Sequence, residues 1–232
     1  AVVAIQQLAL FSVPAFLFVS GFFVAYAARG KGDELSWKFV RTRISSLLWP
    51  YLIWMMVYLV VEVLQGRTEV FIEYVRRVLT GDVAGPFYFV PLLIQFYLLA
   101  PFIVRWARTR PVALLSAAIA IHALGTILIM YLQFVNRQLL ASVLSNSWLF
   151  IWHPVYFPLG VVLGFRWNAA SAVLARLKWV LVIATIALGL MSLAEDEWLS
   201  KTLRYAPGLQ TITVSSSMYA LTFILAFLSF TG

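Results

Sequence analysis

The sequence predicts an all-α, polytopic transmembrane helix bundle of about seven spans in one domain, residues 1–232. Two observations carry this. Composition is 63% hydrophobic against 11% charged, with mean hydropathy +0.93; soluble domains run roughly 45–50% and about 25%. Several apolar stretches reach about 20 residues, the length a helix needs to cross a bilayer. They are too uniformly apolar for barrel strands, which alternate every residue.

The expected spans are 8–28, 46–64, 87–105, 112–134, 148–165, 178–194 and 211–230. A basic segment ending in Arg41-Thr42-Arg43 is read as the first loop. The longest soluble segment joins the second and third spans, and its mixed stretch 70–79 predicts a short interfacial helix. Odd-numbered loops hold eleven Lys and Arg, even-numbered loops six. That excess predicts that the odd loops face the cytoplasm, so the first span runs inward. Trp37, Trp49, Trp106, Trp167 and Trp179 are expected in the inner aromatic belt, and Trp148, Trp152 and Trp198 in the outer one. The chain begins at Ala1 and ends just after an apolar run. It is therefore expected to be an internal piece of a longer protein, missing one upstream span and inactive alone.

Net charge is +8 with pI near 10.0. In a membrane protein this excess reads as loop anchoring, so nucleic acid is not an expected partner. The absence of cysteine removes disulfides and thiol nucleophiles. Two histidines with no ligand-type cluster argue against a metal site, and no glycine-rich loop ends in Lys as a nucleotide-triphosphate cradle requires.

The candidate chemical residues are few. Arg41 and Arg43 are anchors or phosphate ligands, since guanidinium stays charged and binds phosphate bidentately. Ser20-Gly21 inside the first span either permits close helix approach or lines a ligand tunnel. His122, in mid-span, is an intramembrane ionisable group and so a functional candidate. His153, toward the outer end of the fifth span, is an interfacial residue or lines an outward acceptor site. Gln95 reads as interhelical glue.

The segment Phe16-Leu17-Phe18-Val19-Ser20-Gly21-Phe22, followed by Arg41-Thr42-Arg43-Ile44-Ser45-Ser46-Leu47-Leu48-Trp49-Pro50-Tyr51, resembles the acyltransferase-3 family of integral membrane enzymes. That family shows an "FFxxSGF"-like span and then a "kkRxxRllxPYxxw"-like one. Phe87-Tyr88-Phe89-Val90-Pro91-Leu92-Leu93 is similar to its "WFlxaL" segment, with Tyr88 in place of Trp. Tyr156-Phe157-Pro158-Leu159-Gly160-Val161-Val162-Leu163-Gly164 is similar to "yFplGxxlg". The second Arg of Arg-x-x-Arg, counted from Arg43, is Ser46 here. The family's second span runs inward, as the charge count gives for the first span of this chain.

The resemblance implies a membrane O-acyltransferase in a bacterial plasma membrane. It would move an acyl, often acetyl, group from cytoplasmic acyl-CoA to a hydroxyl of an extracytoplasmic carbohydrate or glycan. Arg41 and Arg43 would hold donor phosphates and Ser20 and Gly21 would line the tunnel. The family's catalytic histidine is expected upstream of Ala1. The alternatives are a transporter or flippase of a sugar or lipid-linked substrate, and a non-catalytic membrane subunit.

Overall fold

The computed structural model describes residues 11–29, 35–135, 144, 146–202 and 214–231. Among the described residues the main α-helices are α1 Ser12–Ala28, α2 Trp37–Leu64, α3 Phe71–Thr80, α4 Phe89–Thr109, α5 Pro111–Phe134, α6 Tyr156–Phe165, α7 Trp167–Thr202 and α8 Val214–Leu228. Short 3-10 turns cover Gly85–Tyr88 and Phe150–Trp152. No strand occurs among the described residues. Among the described residues four helices are long and apolar enough to cross a membrane, namely α2, α4, α5 and α7. Three shorter apolar helices, α1, α6 and α8, accompany them.

The first correction concerns α2. It starts at Trp37, so Arg41 and Arg43 are helical rather than the end of a loop. Ser36 caps the start, its hydroxyl accepting from the Lys38 N–H at 3.2 Å. The second concerns span 148–165, which is no continuous helix. His153 sits at φ −130, ψ 33, because the following Pro154 disfavours helical backbone in the residue before it. Only α6 remains helical, and its ten residues reach about 15 Å. In consequence Trp152 is 2% exposed and belongs to the core, not to an outer belt. The third concerns span 178–194, which is the middle of α7. That helix has 36 residues and runs about 54 Å, well beyond a hydrocarbon core of about 30 Å.

The core is built on α1 and α6. Its cause is a row of small residues. A Cβ on Gly21 would stand 2.2 Å from the Phe157 carbonyl oxygen, and one on Gly160 would stand 2.1 Å from that of Phe18. Gly164 meets the Ala25 Cβ at 2.7 Å in the same way. Gly160 and Gly164 form the four-residue small-residue spacing that lets membrane helices touch backbone to backbone. Around this pair α4 contributes Leu92, Leu93, Phe96, Ala100 and Val104. The Phe96 ring stacks on Phe157 at 5.1 Å. α8 lies along α7.

Arg29, just after α1, and Arg108, in the last turn of α4, finish these helices. Arg108 donates to the Ala28 carbonyl at 2.6 Å, and Arg29 donates to the Gly164 carbonyl. Each fills a carbonyl that a helix C-terminus leaves unpaired.

The short helix expected over 70–79 is present as α3. Arg77 binds Glu62 of α2 through two bonds of 2.7 and 2.9 Å, and reaches Glu69 at 3.2 Å. Arg76 grips Glu73, and that guanidinium holds the Glu73 carboxyl below the usual carboxylate range. Gly81 ends α3 at φ +76, and a Cβ there would lie 2.6 Å from the Tyr88 Cα. Gly81→Ala is therefore expected to destabilise by about 2 kcal/mol, through left-handed strain and contact together. Thermal unfolding in detergent reads this, and an unchanged midpoint refutes it.

Candidate active site

Pro50 and Pro101 are the only prolines in the interiors of described helices. A proline has no N–H, so each deprives the carbonyl four residues earlier of its helical partner. Those carbonyls belong to Ser46 and Tyr97. Both residues line one cavity of about 420 Å³ between α1, α2 and α4.

Ser20 from α1 and Arg43 from α2 line the same cavity. Ser20 is 8% exposed, as is Tyr97. The Tyr97 hydroxyl faces the Ser20 side chain and lies in the field of Arg43. The Arg43 guanidinium sits over the Phe39 ring, 5.1 Å from its centroid. Among the described residues it makes no ion pair. Phe16, Val19, Phe23, Val24, Leu47 and Leu93 complete an apolar wall. One arginine, two serines and one tyrosine thus line an otherwise apolar space. Such a space suits an elongated molecule with an anionic part and a neutral polar part.

The structure separates Arg41 from Arg43. Two helical positions rotate a side chain by about 200°, and Arg41 lines a different groove with Trp37, Trp49 and Leu98. The paired phosphate clamp expected from Arg-x-Arg does not form around the Ser20 cavity. Gly21 serves the contact with α6 rather than a wall, since the Phe157 backbone occupies the space beside it. His122 lines a third, smaller cavity near α8, and His153 is buried next to it. Neither histidine borders the Ser20 cavity.

Tyr97 and Ser46 escaped the sequence reading. Their signal was the proline four residues later, in the pairs Ser46/Pro50 and Tyr97/Pro101. Gln95 does more than join helices. Its amide donates to the Trp148 carbonyl at 2.7 Å, and its Oε1 accepts from the Phe150 N–H at 3.3 Å. Gln95→Leu strands both backbone groups, so a loss of about 2 kcal/mol or more is expected in a detergent melt. A Gln95→Glu variant with the same melt as Gln95→Leu would point to shape rather than these bonds.

An apolar helical bundle with helices long enough to cross a bilayer is that of an integral membrane protein, and the mostly apolar cavity between α1, α2 and α4 is its candidate ligand site. The model of the acyltransferase domain, Acyl_transf_3, matches residues 1–231, and the chain belongs to this acyltransferase-3 family. No curated protein and no solved structure matches it. The match spans all four segments that resemble the family's motifs, and membership supports a membrane acyltransferase.

Proposed function

We propose that the protein moves an acyl group, of which acetyl is the simplest case, from acyl-CoA to a hydroxyl of an extracytoplasmic carbohydrate or glycan. The observation that carries this reading is the meeting of Ser20 and Arg43 in one cavity. They lie in two separate family-like motifs, on different helices, yet share a wall with Tyr97. In this reading Arg43 holds a donor phosphate by charge-assisted hydrogen bonds. Ser20, Ser46 and Tyr97 face the polar thioester end, and the aromatic wall excludes water. The Lys/Arg excess puts Arg43 toward the cytoplasm, where acyl-CoA is found. In this reading the membrane is the bacterial inner (plasma) membrane.

An imidazole suits proton removal from the acceptor hydroxyl near neutral pH. The family resemblance puts that histidine upstream of Ala1. The test uses the full-length protein in inverted membrane vesicles with labelled acetyl-CoA. Label is expected to pass to a membrane or lumenal carbohydrate with release of free CoA thiol. Sugar movement without any consumption of acetyl-CoA would replace this reading by transport. Transporters pair broken helices in two matched halves, and the break at 146–155 has no such counterpart among the described residues.

A further inference from the structure

Arg41 lines a groove of its own, with a volume of about 500 Å³, between α2 and Leu98 of α4. Trp37, Arg41, Ser45, Leu48 and Leu52 all belong to its wall. Their spacings along the chain are four, four, three and four, so they form one stripe on α2. From the start of the helix the stripe runs aromatic ring, cation, hydroxyl, then two leucines. Arg41 is the one charged side chain lining the groove. Among the described residues it makes no ion pair. Trp37, Trp49 and Leu98, which border the groove, are exposed.

Depth along α2 decides what can lie there. Glu62, bound by Arg77, marks the outer limit of the apolar part of α2. Arg41 stands 21 positions earlier, about 32 Å along the helix, against a hydrocarbon core of about 30 Å. Arg41 is thus at headgroup level on the inner side, one turn from Trp37 of the aromatic belt. Leu52 is 11 positions further on, about 16 Å deeper, close to the ~15 Å of a single leaflet. The groove therefore spans one leaflet, with its charge at the headgroups and its leucines among the chains. α4 has the same polarity. Arg105 is exposed and lies seven positions beyond Leu98, two turns along the same face, toward the helix end that carries Arg108 and Arg110.

The chemistry of the stripe selects the occupant. A guanidinium with no acidic partner binds phosphate through two parallel hydrogen bonds. Ser45 adds a donor one turn deeper. A soluble phosphate would use this upper half and leave Leu48, Leu52 and Leu98 unoccupied. An uncharged lipid would cover the leucines and leave Arg41 without a counter-charge. A molecule with a phosphate at one end and an acyl chain at the other matches both halves. Basic pockets between membrane helices on the cytoplasmic side hold such anionic headgroups.

We propose that the groove between α2 and α4 binds one anionic glycerophospholipid of the cytoplasmic leaflet. Its phosphate lies on Arg41 and an acyl chain runs along Leu48, Leu52 and Leu98. The site is separate from the Ser20 cavity and does not rest on the acyltransferase reading.

The test is native mass spectrometry of the purified, delipidated full-length protein titrated with phosphatidylglycerol. One tightly retained lipid is expected, with phosphatidylcholine held about fivefold more weakly. Arg41→Ala is expected to weaken phosphatidylglycerol about fivefold, the contribution of one cation near an anionic membrane surface. Arg110→Ala, exposed and outside the groove, is expected to leave it unchanged. Leu98→Trp fills the groove from α4 and is expected to weaken the lipid by a similar factor with every charge in place. Arg41 and Leu98 are both exposed, so two independent variants probe the two halves without entering the core. Equal retention of phosphatidylcholine, equal losses at Arg41 and Arg110, or full retention by Leu98→Trp overturns the site. Competition by sn-glycerol 3-phosphate at the same concentration as the lipid also overturns it, in favour of a soluble phosphate.

Discussion

Gly160→Leu is expected to prevent assembly of the bundle, and Gly160→Ala to destabilise it by about 3 kcal/mol. The reason is backbone, not side chain. The Phe18 carbonyl oxygen stands 2.1 Å from the place a Cβ would take. A flexible neighbour could turn aside, but a helix can only move as a body. Moving α1 away from α6 also opens the core that holds Phe18, Phe157 and Leu17. It shifts Ser20, next to Gly21 on the same helix, so ligand binding falls with stability. Gly125→Ala is the matched control. Its Cβ would meet the Trp152 ring at an ordinary 3.5 Å, and Ala favours helix over Gly by up to about 1 kcal/mol. Melting points of the three variants in one detergent decide the matter. Equal losses at Gly125 and Gly160 would mean that close backbone approach is not what holds α1 to α6.

Arg43→Ala is expected to weaken binding of acetyl-CoA about tenfold, and Arg41→Ala less than about twofold. One charge-assisted hydrogen bond contributes about 1.5–3 kcal/mol, and 1.4 kcal/mol is tenfold. The lower end applies because Arg43 is exposed. Arg43 borders the cavity that Ser20 and Tyr97 share, while Arg41 borders the groove of Trp37 and Trp49. Arg43→Lys keeps the charge but loses the planar fork, so it is expected to recover only part of the affinity. Equilibrium binding of labelled acetyl-CoA to the purified full-length protein measures all three. Equal losses at both positions would show general surface attraction. No loss at Arg43 would remove it from the donor site.

Much of this architecture is legible residue by residue. Apolar length alone reveals the membrane helices α2, α4, α5 and α7. The mixed stretch 70–79 reveals α3, because a helix with one apolar and one charged face lies at an interface. Ser20-Gly21 inside the first span reads as a place where another helix comes close. The family resemblance, carried by the segments around Ser20, Arg43 and Gly160, agrees with the match over residues 1–231.

Other features needed the third dimension. Hydropathy is blind to whether an apolar run is continuous helix, so 148–165 read as a crossing. The pyrrolidine of Pro154 and the bonds from Gln95 turn it into a buried break followed by a short α6. Hydropathy is equally blind to helix rotation. Arg41 and Arg43 are neighbours in sequence but about 200° apart around α2, so only one reaches Ser20. His122 and His153 are 31 positions apart, and no periodicity joins them. Their meeting depends on how α5 packs beside the broken segment.

The sequence by itself determined that this is a helical membrane protein, which family it resembles, and which residue types are scarce enough to matter. Those properties follow from local composition and from motifs short enough to read along the chain. Tertiary structure decided which of the scarce residues share a space. Helix phase, the backbone contact at Gly21 and Gly160, and the hydrogen bonds of Gln95 are long-range facts. They bring Tyr97 to Ser20 and His153 to His122, and they carry Arg41 away from both.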